Sequence, residues 1–300
     1  MKYTEQIEVI DKGLHILAPA KINLSLLVGP RRKDGYHEIE TLMAKVNWYD
    51  DIYIEEGKKE GIELICQGQY WAPAGPDNLV CKACKKLYDV TGKAANIRIT
   101  LYKNIPAGSG LGSASSDAAA ALVGVNKYLK FGLQKTKLLE IAGCIGSDIP
   151  FFLDGPLALC TGRGEKIRKM QKKIDFLALL VVPDVSVSTK RVYDNYRYDK
   201  NLFNALRSRI NDLINKNRID LAAEMCANML QESCCQLYRN LGNIKKRIES
   251  LLQEHVALSG SGSSFFSLKQ IGDMDKLKQA KCSLEEHISC KCKIVRNNIW

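Results

Sequence analysis

No stretch of the 300-residue sequence approaches the roughly 18 consecutive apolar residues that a membrane-crossing helix needs, so no spanning segment and no membrane partner are expected. No period recurs along the chain, which excludes a solenoid. Met1 to Lys12 is polar and carries both signs of charge, so a secretory leader is not expected and a cytoplasmic location is. Cysteine is plentiful at eleven residues, yet the close pairs Cys81-x-x-Cys84, Cys234-Cys235 and Cys290-x-Cys292 lack partners at zinc-ligand spacing. They read as reduced thiols, and no protein-held metal is expected among them.

The formal charge of +11 points to an anionic partner, either a nucleic acid or a small anionic substrate. Much of the excess lies in scattered pairs and triplets such as Lys58-Lys59, Lys85-Lys86 and Lys245-Lys246-Arg247. No aromatic-interleaved basic strip collects it, so most of it reads as solvated surface and no nucleic acid is expected. With 46% hydrophobic and 26% charged residues the chain has the balance of a soluble globular protein, and its length suits two lobes.

The most informative stretch runs from Pro106 to Ser116: Pro106, Ala107, Gly108, Ser109, Gly110, Leu111, Gly112, Ser113, Ala114, Ser115 and Ser116. The alanine run that begins at Ala118 follows it directly, which makes the stretch a loop opening a helix and not a flexible linker. Glycines let the backbone approach a ligand closely, and the first turn of a helix offers unpaired N–H groups to an anion. Phosphate is the natural guest. Ser113, Ser115 and Ser116 add hydroxyls for phosphate oxygens or for a magnesium ion carried by a nucleotide. The stretch is neither a Walker A loop, since no Gly-Lys-Ser/Thr follows, nor a dinucleotide fingerprint.

Elsewhere the signals are local. Leu14 to Val28 reads as two strands broken at Pro19, with Lys21 and Asn23 leaving one face of the second; alone, such residues face solvent unless that face lines a cleft. Asp34-Gly35 marks a tight turn before Tyr36 and His37, a pair that either stacks on a base or simply packs. Ile39 to Trp48, Asp51 to Glu55 and Gly61 to Cys66 read as an antiparallel meander. A helix capped by Asp77 or Asn78 runs to about Val90, and Ile97 to Tyr102 delivers the chain to Lys103 and the loop. Asp148 stands alone among apolar residues, as a helix cap or as a partner of Lys21. Phe176 to Val182 is a hydrophobic strand, the period from Asn201 to Leu252 is helical, and a second small-residue turn, Ser259-Gly-Ser-Gly, lies between two strands.

Taken together, Pro19-Ala-Lys-Ile-Asn, Asp34-Gly-Tyr-His-Glu, the loop from Pro106 to Ser116, Gly146-Ser-Asp-Ile-Pro-Phe-Phe, Gly162-Arg-Gly-Glu and Ser259-Gly-Ser-Gly resemble the motifs of the GHMP kinases, in that family's order and across residues 19 to 263. The resemblance implies an α+β fold of two lobes, with a mixed αβ nucleotide-binding lobe over residues 1–165, an αβ-sandwich lobe over 166–300, and the active site in the cleft between them. It implies ATP as donor, with magnesium. Asp148 matches the catalytic acid position and Lys21 its partner. Residues 106–116 hold the triphosphate, and Asn78 and Lys103 match positions flanking the adenosine. Asn23 matches a substrate-placing position. The pairing of the first two motifs points to a branch whose acceptor is a cytidyl diphosphate-linked methylerythritol, with Tyr36, His37 and Tyr193 around the cytosine. A monomer or homodimer is implied. The loop departs from the family by carrying Ser109, Ser113 and Ala114 where glycine is usual.

Overall fold

A computed structural model describes residues 6–172 and 174–298. The chain opens with β1 (Ile7–Ile10), β2 (Gly13–Arg31), β3 (His37–Glu56) and β4 (Ile62–Gly68), followed by α1 (Leu79–Thr91), β5 (Ile97–Lys103) and α2 (Ser113–Tyr128). It continues through α3 (Lys135–Ile145), α4 (Ile149–Asp154), β6 (Leu157–Gly162), β7 (Lys166–Lys169) and β8 (Leu177–Pro183). Five helices come next: α5 (Thr189–Asn195), α6 (Lys200–Asn215), α7 (Ile219–Glu224), α8 (Gln231–Leu237) and α9 (Arg239–Leu252). The last elements are β9 (Ala257–Leu258), β10 (Phe265–Lys269), α10 (Met274–His287) and β11 (Cys290–Arg296).

Two long strands organise the first lobe. β2 and β3 pair antiparallel along nearly their whole length, and β3 is long enough to serve two partners: Asp51–Glu56 pairs with β5, and Ile39–Ala44 pairs with β6. Pro19 does not split β2 into two strands as the sequence suggests. It has no N–H for the ladder, so the strand slips register between Pro19 and Ala20 and continues. Residues 39–48 and 51–55 likewise form one strand. A second correction concerns β4, which runs parallel to β5 and not antiparallel in a meander. The physical reason is α1, which lies between them in the chain: a strand–helix–strand unit returns its second strand in the same direction.

One face of this seven-stranded sheet is covered by α1, α2, α3 and α4, with Ile16, Ile52, Ile54, Ile99 and Leu101 packing on Leu87, Leu122 and Phe151. The second lobe is a four-stranded antiparallel sheet in the order β11-β8-β10-β9. Its strand β8, Leu-Ala-Leu-Leu-Val-Val-Pro, is buried at every position, the pattern of a strand covered on both faces. The change of sheet falls between Lys169 and Leu177, a few residues beyond 165. Leu24, Leu26 and Val28 of β2 share one apolar core with Leu179, Val181, Phe265 and the helices of the second lobe, so the two lobes pack on a common seam.

Candidate active site

The loop before α2 has the geometry of an anion cradle. Gly108, Gly110 and Gly112 take φ of 68°, 79° and 72°, alternating with residues of ordinary backbone, so the three positions that demand glycine have it. Ser109, Ser113 and Ala114 stand outside the left-handed region, so none of them occupies a backbone conformation that favours glycine. Ser109 even braces the turn, donating its hydroxyl to the Pro106 carbonyl at 2.7 Å. Helix α2 starts at Ser113 with Gly112 as N-cap, and no side chain caps its first turn. The N–H groups there remain available to a ligand.

Gly110 shows how tightly the loop is held. A Cβ there would stand 2.0 Å from the carbonyl oxygen of Ser259, in the small-residue turn of the second lobe. Ser259 donates its hydroxyl to the Gly110 carbonyl at 2.9 Å, and the N–H of Ser264 donates to Ser109 O at 3.0 Å. The two small-residue turns, read separately in the sequence, thus meet face to face.

Lys21 enters from β2, whose backbone N–H donates to Leu111 O at 2.9 Å and ties the strand to the loop. Its side chain is only 3% exposed, and its Nζ donates to Asn23 Oδ1 at 2.5 Å and to the Gly110 carbonyl at 2.9 Å. Asp148, at the N-terminus of α4, lies 3.9 Å from Lys21 Nζ with its side chain 37% exposed, so the carboxylate remains open to the cleft. Asp148 makes no side-chain cap bond to α4. Burial pulls the Lys21 ammonium below the ordinary lysine value, while Asp148 and, more weakly, Cys160 pull it back up. Asn23 is fixed in turn: its Nδ2 donates to Thr41 Oγ1 at 2.8 Å.

Lys103 and Asn78 do not offer free side chains to a nucleotide. The Lys103 ammonium is buried and donates to Asp50, to Ser113 Oγ and, at 2.6 Å, to Asp117, which uses all three of its N–H donors. Asp50 also accepts from the N–H of Asn104 at 2.5 Å and of Ile105 at 2.8 Å, pinning the entry to the loop. One cation between two buried carboxylates leaves negative charge over, and burial pushes the Asp117 carboxyl up to about 8 against the pull of Lys103. Asn78 is the N-cap of α1, accepting from Val80 N at 2.9 Å while donating to Pro73 O at 2.8 Å. Both residues build the floor and wall of the site from within.

His37 and Tyr193 meet at the other end of the cleft, with a further aromatic, Tyr196, that sequence reasoning missed, while Tyr36, next to His37 in the chain, packs its ring under Arg163. The His37 ring lies 5.8 Å from Tyr193 and 5.6 Å from Tyr196, edge-on to the latter. His37 Nδ1 is 2.8 Å from the Gly29 carbonyl, which fixes the ring. Tyr36 is 55% exposed, and the guanidinium of Arg163 sits 5.1 Å above its ring. Burial pushes the Tyr193 phenol well up, and the nearby Asp148 carboxylate adds to this, which ties the aromatic group to the carboxylate electrostatically. Arg163 lay within the Gly162-Arg-Gly-Glu motif without a role assigned to it, and Tyr196 carried no local signal; the fold puts both here.

Residues 78–156 match the description "GHMP kinases N terminal domain". A 4-diphosphocytidyl-2-C-methyl-D-erythritol kinase from Citrifermentans bemidjiense is 35% identical over 257 residues, covering 86% of this chain and 90% of that protein. The chain belongs to this family of GHMP kinases. A protein of the same name from Clostridium botulinum is 34% identical, covering 90% of this chain and 94% of its own. Among solved structures, a 4-(cytidine 5'-diphospho)-2C-methyl-D-erythritol kinase superposes with a TM-score of 0.72 at 28% identity, over 95% of this chain and 99% of that one. A homoserine kinase from Cytophaga hutchinsonii reaches a TM-score of 0.75 at 19% identity over 97% and 96% of the two chains, a likeness of fold alone. The two-lobed α+β GHMP architecture is therefore the fold of this chain.

Proposed function

We propose that this chain transfers the γ-phosphoryl group of ATP to the 2-hydroxyl of 4-diphosphocytidyl-2-C-methyl-D-erythritol, the kinase step of the non-mevalonate route to isoprenoid precursors. The observation that carries the reading is the approach of Lys21 and Asp148 to 3.9 Å beside the glycine loop, in a chain 35% identical to a kinase of that name.

Phosphoryl transfer asks a protein for alignment and charge neutralisation more than for covalent help. Within the loop of residues 106–116, N–H groups between Ala107 and Ser115 hold the phosphates at the start of α2. Asp148 accepts the proton of the attacking 2-hydroxyl as its oxygen bonds to the γ-phosphorus, and the bond from that phosphorus to the bridging oxygen breaks to release ADP. Lys21 holds Asp148 and offsets the charge on the developing alkoxide. Asn23 keeps Lys21 in place and borders the acceptor. Tyr36, His37 and Tyr193 surround the cytosine, with stacking area supplied by the His37 and Tyr193 rings, which already touch, and by the exposed Tyr36 ring beneath Arg163.

Magnesium belongs to this reading as the ion that neutralises phosphate charge when bound. Among the described residues no three acidic, histidine or cysteine side chains stand together to hold a metal, which fits an ion delivered with the nucleotide. The half-buried Ser115 hydroxyl, in the first turn of α2, is the hard oxygen donor best placed to meet it. Ser113 is already committed to Lys103 and Asp50. The site is built from one chain, so a monomer suffices, and our reading places the protein in the cytoplasm.

An ATP-coupled assay on the cytidyl substrate, with homoserine and mevalonate alongside, tests the assignment. Turnover of the cytidyl alcohol alone is expected; turnover of homoserine or mevalonate in its place overturns it.

A further inference from the structure

Lys45 takes no part in the chemistry just described, yet its side chain is only 1% exposed. It stands on β3 directly opposite Lys21 on β2, so the two lysines leave the same face of the sheet side by side. They then diverge. Lys21 turns to Asn23 and Gly110, whereas Lys45 Nζ donates to the carbonyl of Phe152 at 3.0 Å and lies 6.0 Å from the Phe151 ring.

Phe152 is the link to the reacting groups. It belongs to α4, the six-residue helix that begins immediately after Asp148. Its ring reaches the glycine loop: a Cβ built on Gly112 would stand 2.8 Å from Phe152 Cζ and 2.8 Å from Lys21 Cγ. One residue thus touches Lys45 through its carbonyl and packs beside both the loop and the Lys21 stem through its ring. The backbone of Lys45 adds to the clamp, with its N–H donating to Pro156 O at 2.8 Å and its carbonyl accepting from Asn298 N at 2.8 Å.

We propose that Lys45 is a positioning residue for phosphoryl transfer, its amine anchoring α4 through the Phe152 carbonyl and so setting Asp148 against Lys21. This rests on the kinase reading above. A helix of under two turns that lacks a side-chain cap at its N-terminus depends on outside groups to fix it. Burial of its apolar side chains against α2 and α3 holds α4 in the core, but of the polar ties that fix its position the 2.5 Å contact of Lys135 with Asp154 lies at the surface, where ion pairs hold weakly.

The setting of the amine makes this anchor sensitive to pH. Burial lowers it to about 7; Asp154 at the end of α4 opposes that shift, while Lys135 on α3 and Lys169 on β7 reinforce it, and Lys21 flanks it across the strand pair. The neutral amine still donates an N–H to the carbonyl. Once protonated, it donates more strongly to the carbonyl, but it is a buried ammonium with no ion-paired carboxylate among the described residues, and that desolvation cost draws it away from its seat against α4.

The test is kcat against pH from 6 to 9 for the wild type, Lys45→Met and Lys45→Gln, with KM for ATP measured in parallel. The wild type is expected to lose kcat as the pH falls through about 7. Lys45→Met, which fills the space but donates nothing, should lower kcat at pH 8 by about tenfold, leave KM for ATP within about twofold, and lack the inflection. Lys45→Gln, which keeps an N–H donor and cannot titrate, should recover most of kcat at pH 8 and also lack the inflection. A Met or Gln variant that keeps both the wild-type kcat and the wild-type inflection overturns the proposal; should the Met protein not fold, the Gln protein decides it. A wild type that fails to phosphorylate the cytidyl substrate at any pH counts against the kinase reading instead.

Discussion

The carbonyl of Gly110 accepts a hydrogen bond from the hydroxyl of Ser259 at 2.9 Å, across 149 residues of sequence and from one lobe to the other. That carbonyl also accepts from Lys21 Nζ at 2.9 Å, so a single peptide group joins the phosphate loop, the second lobe and the proposed catalytic lysine. The joint explains why the loop holds its shape between glycines that are individually free to turn.

Gly110→Ala should break that joint. The added Cβ meets Ser259 O at 2.0 Å, and φ of 79° is strained for alanine. We expect ATP affinity to fall at least about tenfold and stability to drop by about 2 kcal/mol. Ser259→Ala removes one hydrogen bond without a clash and should cost about 1 kcal/mol, with weaker loss of ATP binding. Calorimetric ATP titration and thermal melts of both variants check this; equal effects from the two would refute the steric account.

Asp148→Asn should reduce kcat by roughly a hundredfold or more, the scale of a lost general base, while ATP still binds. The amide keeps the shape of the side chain and cannot accept the hydroxyl proton. Single-turnover kinetics on the cytidyl substrate, with ATP binding measured separately, provide the check. Near-normal turnover would remove Asp148 from the mechanism.

Much of this site was legible before any fold was known, and the reasons are local. Three glycines alternating before an alanine-rich helix say "phosphate" because only glycine takes those backbone angles cheaply, and the three positive φ values fall on those residues. Lys21 and Asn23 share a face because strand periodicity leaves no choice. Residues whose meaning depends on tertiary neighbours were not legible. Lys103 matched a nucleotide-flanking position, but Asp50 and Asp117 enclose it, and nothing local marks Asp117 at the head of an alanine run as a buried partner. Nothing in the strand from Ile39 to Trp48 marks Lys45 as a buried amine. The parallel pairing of β4 with β5 was implied by the helix between them, and the alternating apolar pattern alone hid it.

Lys103→Met separates structural support from nucleotide contact. Without the ammonium, Asp50 keeps a buried charge with its cation gone, beside an Asp117 carboxyl that burial already holds at about 8, a loss on the scale of about 3–5 kcal/mol. Adding Asp50→Asn removes that remaining charge and should restore part of the stability and part of the ATP binding together. Urea unfolding of the single and double variants reads this out; a single variant of wild-type stability that merely binds ATP poorly would return Lys103 to the nucleotide.

Tyr36→Ala should weaken the cytidyl substrate selectively. Loss of a stacking partner costs about 1–3 kcal/mol per base, so KM for that substrate should rise by about tenfold or more with KM for ATP unchanged. Tyr193→Phe keeps the ring against His37 and should change either constant by less than about threefold. Equal loss of ATP and cytidyl affinity in Tyr36→Ala would detach the aromatic cluster from cytosine recognition.

The stability of Lys45→Met should move in the opposite direction to its activity, because of the sign of its proton linkage. The folded protein holds Lys45 at about 7, below its ordinary value of 10.5, so between those limits the unfolded chain carries the extra proton. Stability therefore rises with pH across that window by up to about 1.4 kcal/mol per pH unit, and below pH 7 the full burden of several kcal/mol is present. Methionine removes the burden. It also leaves the Phe152 carbonyl without the Lys45 donor, at a cost of about 1–3 kcal/mol. The first effect is the larger at low pH and shrinks on the alkaline side. The variant should accordingly melt above the wild type at pH 6, with the margin narrowing or reversing by pH 9. A wild type that melts higher at pH 6 would mean that Lys45 keeps its charge by finding water or a carboxylate, and would take the acid inflection in kcat away from this residue.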